Sequence, residues 1–351
     1  MPAVSVDTFF ACFLMVLLVL SAMTATAKLL QPRINSSLNV EGAERYGETA
    51  KHILLYAGKP SNWGQDGQAI PEEFGLAEAG AENPYTLDVD KVSRLNGESL
   101  YALSYAQIFT SLKVSDVSLR LEIKPVFNVR VNLTAILEGL NETVYTFEVA
   151  TEKSGAAVSA IVKAYIIAEN FLQTTSVYNS DGIARFNLTV PNSVGGPALL
   201  VVFAKSKFNN RIASYAVYPF AHNLSEPAAK GVFLKLSPLN YTLTVIPTSA
   251  ETVLSSVYAL TFNYAAPLTQ TASNVFSIPK FADASPIVLV ATGWNSTKFF
   301  AEWTAYPQIP LQMGVDFSTM SNLSNVYAYE HLVAIGSAIY KCTVWLGGPK
   351  A

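Results

Sequence analysis

Val117-Ser118-Leu119-Arg120-Leu121-Glu122-Ile123 puts an apolar side chain at every second residue and a polar one between. Period two is the spacing of a strand with one buried face, because successive side chains of a strand point to opposite sides. Val126–Ala135 continues the alternation, whereas the preceding segments repeat their apolar residues every three or four positions. The change of period at Asp116 divides the chain into a helical beginning and a strand-rich remainder. It predicts an α+β fold that is predominantly β.

Downstream, Val144–Thr151, Ala157–Tyr165, Ile183–Val190 and Ala198–Ala204 form one group of expected strands. Phe233–Ile246, Val257–Tyr264, Ile287–Ala291 and Leu332–Trp345 form another, all bounded by Gly, Pro, Asn and Ser. His222–Lys230, with Pro227 and small polar residues, reads as a linker between the groups. Two tandem antiparallel β-sandwiches are therefore expected, over residues 144–222 and 223–351. Upstream, Ala43, Ala50, Ile53, Leu54 and Ala57 recur at helical spacing over Val40–Ala57, and Gly58, Lys59 and Pro60 end that helix. Asp88 is placed to cap a second helix, Val89–Leu95, and Glu98–Leu112 reads as a third. Residues 38–143 are thus expected to form a helix plus a small α/β region.

From Thr8 to Ala27 no residue is charged. Phe9, Phe10, Phe13, Leu14, Leu17, Leu18 and Leu20 give the run its apolar body, and at helical rise it spans a hydrocarbon core of about 30 Å. Ala22, Ala25 and Ala27 offer a signal-peptide cleavage pattern, but no basic residue precedes the run, which exceeds the usual apolar length of about 7–15 residues. Residues 1–37 are accordingly expected to be a retained transmembrane anchor and stalk. Its orientation is contested by two signals. Lys28, Arg33, Arg45 and Lys51 follow the run while only Asp7 precedes it, which by the positive-inside rule places the rest in the cytoplasm. Asn-X-Ser/Thr sequons at Asn35, Asn132, Asn141, Asn187, Asn223, Asn240, Asn295 and Asn322 argue for the outside. Alternation in Phe186-Asn187-Leu188-Thr189-Val190 turns Asn187 away from the apolar face, and the segments around Asn132 and Asn240 behave alike. The sequons carry the expectation of an extracytoplasmic, glycosylated ectodomain.

Only 14% of the 351 residues are charged against half that are hydrophobic, a bias that suits strands surfaced with hydroxyls and amides. A net charge of -3 leaves no basic footprint for nucleic acid. Cys12 and Cys342 form neither a disulfide framework nor a zinc spacing. His52, His222 and His331 belong to no metal or triad motif, and no phosphate-cradling glycine loop occurs, so no catalytic, cofactor or metal residue is assigned. Asp88-Val89-Asp90 offers paired carboxylates for Ca²⁺, but helix capping is the simpler role. Glu72-Glu73 reads as a solvated loop pair and Trp63 as a buried anchor. Phe299, Phe300, Trp303, Tyr327 and Tyr329 could face sugars, although alternation assigns at least one of each cluster to the core.

Leu54-Leu55-Tyr56-Ala57-Gly58-Lys59-Pro60-Ser61-Asn62-Trp63-Gly64, Phe74-Gly75-Leu76-Ala77 and Tyr85-Thr86-Leu87-Asp88-Val89-Asp90-Lys91-Val92-Ser93-Arg94-Leu95-Asn96 follow in order. With the hydrophobic helix before them, residues 10–135 resemble archaeal type IV pilin-like, membrane-anchored surface proteins. No Lys/Arg-Gly pair of that family precedes the helix. Residues 144–222 resemble a transthyretin-like or bacterial Ig-like sandwich, on Gly155-Ala156-Ala157-Val158-Ser159-Ala160, Thr174-Thr175 and Ser180-Asp181-Gly182-Ile183-Ala184-Arg185-Phe186, and residues 231–347 look like another. The resemblance implies a non-enzymatic structural or adhesive component of an archaeal envelope. Its expected partners are membrane lipid, further copies through the N-terminal helix, and envelope proteins or glycans. The alternative is a monomeric tethered binding protein for a carbohydrate or another surface protein, and an anchored enzyme stands third. Assembly predicts one continuous helix over residues 9–57, tethering a break near Gln31–Ser37.

Overall fold

The computed structural model describes residues 6–349 apart from 115–116, 180, 224 and 318–322, and within them the side chains other than those of 6–12, 25, 27, 29–41, 178, 323–325 and 349. The chain starts with α1 (Val6–Leu55), then β1 (Thr86–Leu87), α2 (Val89–Ser93), α3 (Tyr105–Leu112) and β2 (Ser118–Pro125). Eight strands follow: β3 (Asn128–Glu138), β4 (Glu142–Lys153), β5 (Ala156–Ala157), β6 (Ala160–Ala168), β7 (Phe171–Asn179), β8 (Ile183–Pro191), β9 (Ala198–Ser206) and β10 (Ala213–Phe220). Eight more are β11 (Leu234–Leu239), β12 (Thr242–Pro247), β13 (Thr252–Leu260), β14 (Ala265–Pro267), β15 (Thr269–Ala272), β16 (Val275–Ser277), β17 (Ile287–Asn295) and β18 (Lys298–Tyr306). The chain ends with β19 (Leu311–Gly314), β20 (Leu323–Ile335) and β21 (Ala338–Pro349). The fold is mostly β, as the change of period at Asp116 predicts.

The domain boundaries differ from those expected. β2 pairs antiparallel with β21, opposing Leu119 to Leu346 and Ile123 to Cys342, and the sheet runs β1-β20-β21-β2-β19. Its apolar face packs with Ile53, Leu54, Trp63, Phe74 and Leu76 into one core. The head is therefore built from both ends of the chain, and the two sandwiches are inserted into it. Residues 223–351 do not form one sandwich, and β3 belongs with β4 rather than with the helices. Local alternation shows that a strand exists but carries no information on a partner two hundred residues away.

In the first sandwich, β4 lies between β3 and β8 and faces the sheet β10-β9-β6-β7 across a core that includes Phe147, Val149, Phe186, Leu200 and Val202. In the second, β11-β12-β16-β15 faces β14-β13-β17-β18 across Leu243, Val245, Leu289 and Phe300. The sandwiches are also packed on each other. Tyr165, Ile167, Leu199, Val201 and Phe203 meet Leu260, Val288, Val290 and Ala301 in a further apolar layer. Four sheets thus stack, and the two inner ones are covered on both faces. That explains why Ala198-Leu199-Leu200-Val201-Val202-Phe203-Ala204 and Ile287-Val288-Leu289-Val290-Ala291 are unbroken apolar runs while outer strands alternate.

Two expected long strands are hairpins. Phe233–Ile246 folds back at Asn240-Tyr241, whose φ values of 47° and 53° suit the two-residue turn that matches strand twist. Leu332–Trp345 folds back at Gly336-Ser337. The expected third helix begins later than Glu98, at Tyr105, where the Ser104 hydroxyl accepts the Gln107 N–H and the Gln107 side chain accepts the Ser104 N–H.

Candidate membrane and assembly surface

α1 runs without interruption from Val6 to Leu55, through Gln31–Ser37. Its two ends have opposite surroundings. Ala50, Ile53 and Leu54 are buried in the head. Tyr329 donates its hydroxyl to the carbonyl of Ala43, and Tyr327 lies 5.7 Å from the Tyr46 ring. His331 stacks on Tyr85 at 4.8 Å beside them, and burial followed by the charge of Lys51 pushes its pKa down. In contrast, the eight consecutive residues Phe13–Leu20 are each 47–71% exposed. At 100° per residue they cover the whole circumference of the helix. A helix apolar on every side requires an apolar medium or a partner.

Among the described residues, no helix is long and apolar enough to cross a membrane. Of the expected anchor, Phe13, Leu14, Leu17, Leu18 and Leu20 are exposed; the side chains of Phe9 and Phe10 lie outside the described residues.

The join between α1 and the head rests on the short helix α2 and the two residues that cap it. Asp88 caps it, accepting the N–H groups of Asp90 and Lys91 at 2.9 and 3.0 Å. Lys91 is buried and donates to the carbonyls of Ala57 and Ala77 at 2.8 and 2.7 Å. Arg94, also buried, donates to the carbonyls of Trp63, Asp66, Gly67, Ala69 and Tyr101. Burial lowers the pKa of both cations. Trp63 lies beneath them, 5.9 Å from Lys91 Nζ and 5.5 Å from Arg94 Cζ, and its indole N–H donates to Gly75 at 3.1 Å. A Cβ on Gly75 would lie 2.2 Å from the carbonyl of Tyr56, and one on Gly64 2.7 Å from the Lys91 nitrogen. The Trp-Gly loop and the Phe-Gly-Leu-Ala box are therefore a clamp around the end of α1. Sequence reasoning found Trp63 and the Asp88 cap but not the buried cations, for Lys and Arg are the residues least expected inside.

Glu73, whose side chain is 36% exposed, is also tied to its neighbours. It accepts the Tyr56 hydroxyl at 2.8 Å and Lys113 at 3.2 Å, and these bonds, Tyr56's first, hold its carboxyl below the usual range. Asp90 is buried, and Asp88 is engaged as a cap; among the described residues no group of three or more His, Cys, Asp and Glu gathers as a metal site. The aromatic cluster divides, with Phe299 and Phe300 buried and Trp303 partly exposed.

Of the sequon asparagines, Asn132, Asn141, Asn187, Asn223 and Asn240 are exposed. Asn132 and Asn187 project from the outer face of the β3-β4-β8 sheet, Asn141 from the β3–β4 turn and Asn240 from the β11–β12 turn. Asn295 is half-buried and donates to Ser249 Oγ at 3.4 Å. The side chains of Asn35 and Asn322 lie outside the described residues. A scan of known protein families finds no match to this chain, and no curated protein matches it in sequence.

Proposed function

We propose that this chain is a pilin-like structural or adhesive protein of the cell envelope, acting through contact rather than catalysis. The N-terminal half of α1 lies in the membrane and packs against the same helix of further copies. The inserted sandwiches stand outside the cytoplasm as a glycosylated ectodomain. The observation that carries this reading is the unbroken helix, clamped to the head at one end and apolar on all sides at the other. A tether alone has no need for 50 residues of continuous helix.

The test is the behaviour of the purified full chain when detergent is removed. The expected result is filaments or bundles by electron microscopy, with Leu17→Glu leaving dispersed particles while the unfolding of the sandwiches is unchanged. Discrete monomers of the unsubstituted chain would overturn assembly. Glycopeptide mass spectrometry of protein from its native source tests the topology separately. Added mass is expected at the exposed Asn132, Asn141, Asn187, Asn223 and Asn240, and unmodified asparagines throughout would overturn the extracytoplasmic placement.

A further inference from the structure

A cleft of about 460 Å³ opens where the head meets the second sandwich. A neighbouring hollow of about 210 Å³ shares Glu98, Lys230, Thr304 and Gln308 with it and reaches Tyr215 of the first sandwich. All three bodies therefore contribute to one recess, whose volume lies in the range of small-molecule sites.

The chemistry of the wall is specific. Gln308 is only 4% exposed, its Nε2 donates to Thr304 Oγ1 at 3.1 Å, and its Oε1 has no hydrogen-bond partner. A buried amide oxygen without a partner is uncommon, because the hydration it loses is restored only by a new donor. Leu100, half exposed, and Trp303 supply apolar surface to the same cleft. At its edge Lys230 and Glu98 form an ion pair, so their charges cancel. Glu302 also lines the cleft, but its carboxylate accepts the N–H groups of Gly231, Val232 and Phe233.

We infer that this cleft binds a neutral saccharide. A sugar ring offers a C–H face to an indole and a leucine, and hydroxyl donors to an amide oxygen. A purely apolar ligand would leave Gln308 unsatisfied, and a charged one would meet a lining whose formal charges, Glu98 and Glu302 against Lys230 and Lys235, cancel. The cleft binds and does not hydrolyse: glycoside cleavage needs two carboxyl groups facing the scissile bond, and Glu302 is committed to the backbone. The residues come from a single chain, so the site does not depend on assembly.

The test is saturation-transfer NMR and calorimetric titration of the detergent-solubilised full chain. One arm uses neutral trisaccharides of glucose, mannose, galactose and N-acetylglucosamine. The other uses N-glycans released from the protein itself, which separates a free saccharide from a glycan carried by a neighbouring copy. Saturable binding is expected in at least one arm, weakened tenfold or more by Gln308→Leu and by Leu100→Asp, which removes apolar surface at a half-exposed position. If Gln308→Leu disturbs folding, Leu100→Asp decides. No saturable binding in either arm, or binding that Leu100→Asp leaves intact, would overturn the inference.

Discussion

Asp283 and Asp90 each pin the second sandwich to a neighbour, yet they are held by opposite kinds of partner. Asp283, in the loop before β17, meets Lys205 of β9, and the pair joins the two sandwiches with side chains only 1% and 10% exposed. Asn263 adds its backbone N–H at 2.9 Å, and Ser285 its hydroxyl at 3.1 Å. Burial alone would raise this carboxyl, but the hydrogen bonds of Lys205, Asn263 and Thr261 with the charge of Lys205 outweigh it, and the pKa is lowered. Asp90, on α2, joins the head to the second sandwich through neutral donors, the Tyr306 hydroxyl and the Asn240 N–H, both at 2.7 Å. Burial there outweighs both bonds, and its pKa is raised. The comparison teaches that geometry alone does not set a buried carboxylate's response to pH; the charge of its partner does.

The charged junction is expected to be the more fragile to substitution. Asp283→Ala strands a buried ammonium 4.7 Å from the Phe262 ring and costs about 3–5 kcal/mol. The double substitution Lys205→Met with Asp283→Asn removes both charges, keeps an acceptor for Asn263 and Ser285, and recovers most of that loss, since a buried pair is worth little more than neutral groups of similar volume. Urea denaturation of the wild type and the two variants measures this, and an equal loss in the single and double variants would remove the charge argument.

Asp90→Ala is expected to cost less, about 1–3 kcal/mol, because it leaves a hydroxyl and an amide N–H unpaired rather than a charge. Other head contacts, among them Asn96 to the Gln308 carbonyl at 3.1 Å, Leu100 N–H to Ser237 at 2.9 Å and Tyr101 to Thr244 at 2.9 Å, stay in place. Hydrogen exchange would show the loss as faster exchange around Asn240, and unchanged protection there would mean that Asp90 does not hold the turn.

These junctions mark the boundary of what the sequence makes legible. Period and capping are local, so the alternation at Val117–Ile123 and the Asp88 cap could be read directly. Pairing is not local, so the return of β21 to β2 could not be, and the domain boundaries shifted with it. Unbroken apolar runs at β9 and β17 did hold the information that two sheets are covered on both faces. Lys91, Arg94, Asp283 and Gln308 left no such trace. Each is polar in composition and buried only by contacts between distant segments, so the clamp, the junctions and the cleft all became visible together with the fold.

The smallest effect is the dependence on pH, and it sharpens the comparison most. Asp90 has a folded pKa above its ordinary value of 3.8, so its ionised form is penalised in the fold at neutral pH. That penalty is relieved as pH falls through the folded pKa towards 3.8. Asp283 has a folded pKa below 3.8, so its contribution is present above that value and lost as pH falls beneath it through the folded pKa. The two windows lie on opposite sides of 3.8. Asp90→Asn keeps an acceptor for Tyr306 and Asn240 but cannot ionise. Between pH 7 and 4 the wild-type unfolding temperature should therefore rise relative to that of Asp90→Asn, by about 1 °C for each ~1 kcal/mol of difference in a chain of 351 residues. Asp283→Asn should diverge from wild type in the other sense, its deficit shrinking only below about pH 4. Parallel curves for wild type and Asp90→Asn would show that the Asp90 carboxyl titrates alike in the folded and unfolded chains, and the contrast between the two junctions would then be one of strength alone.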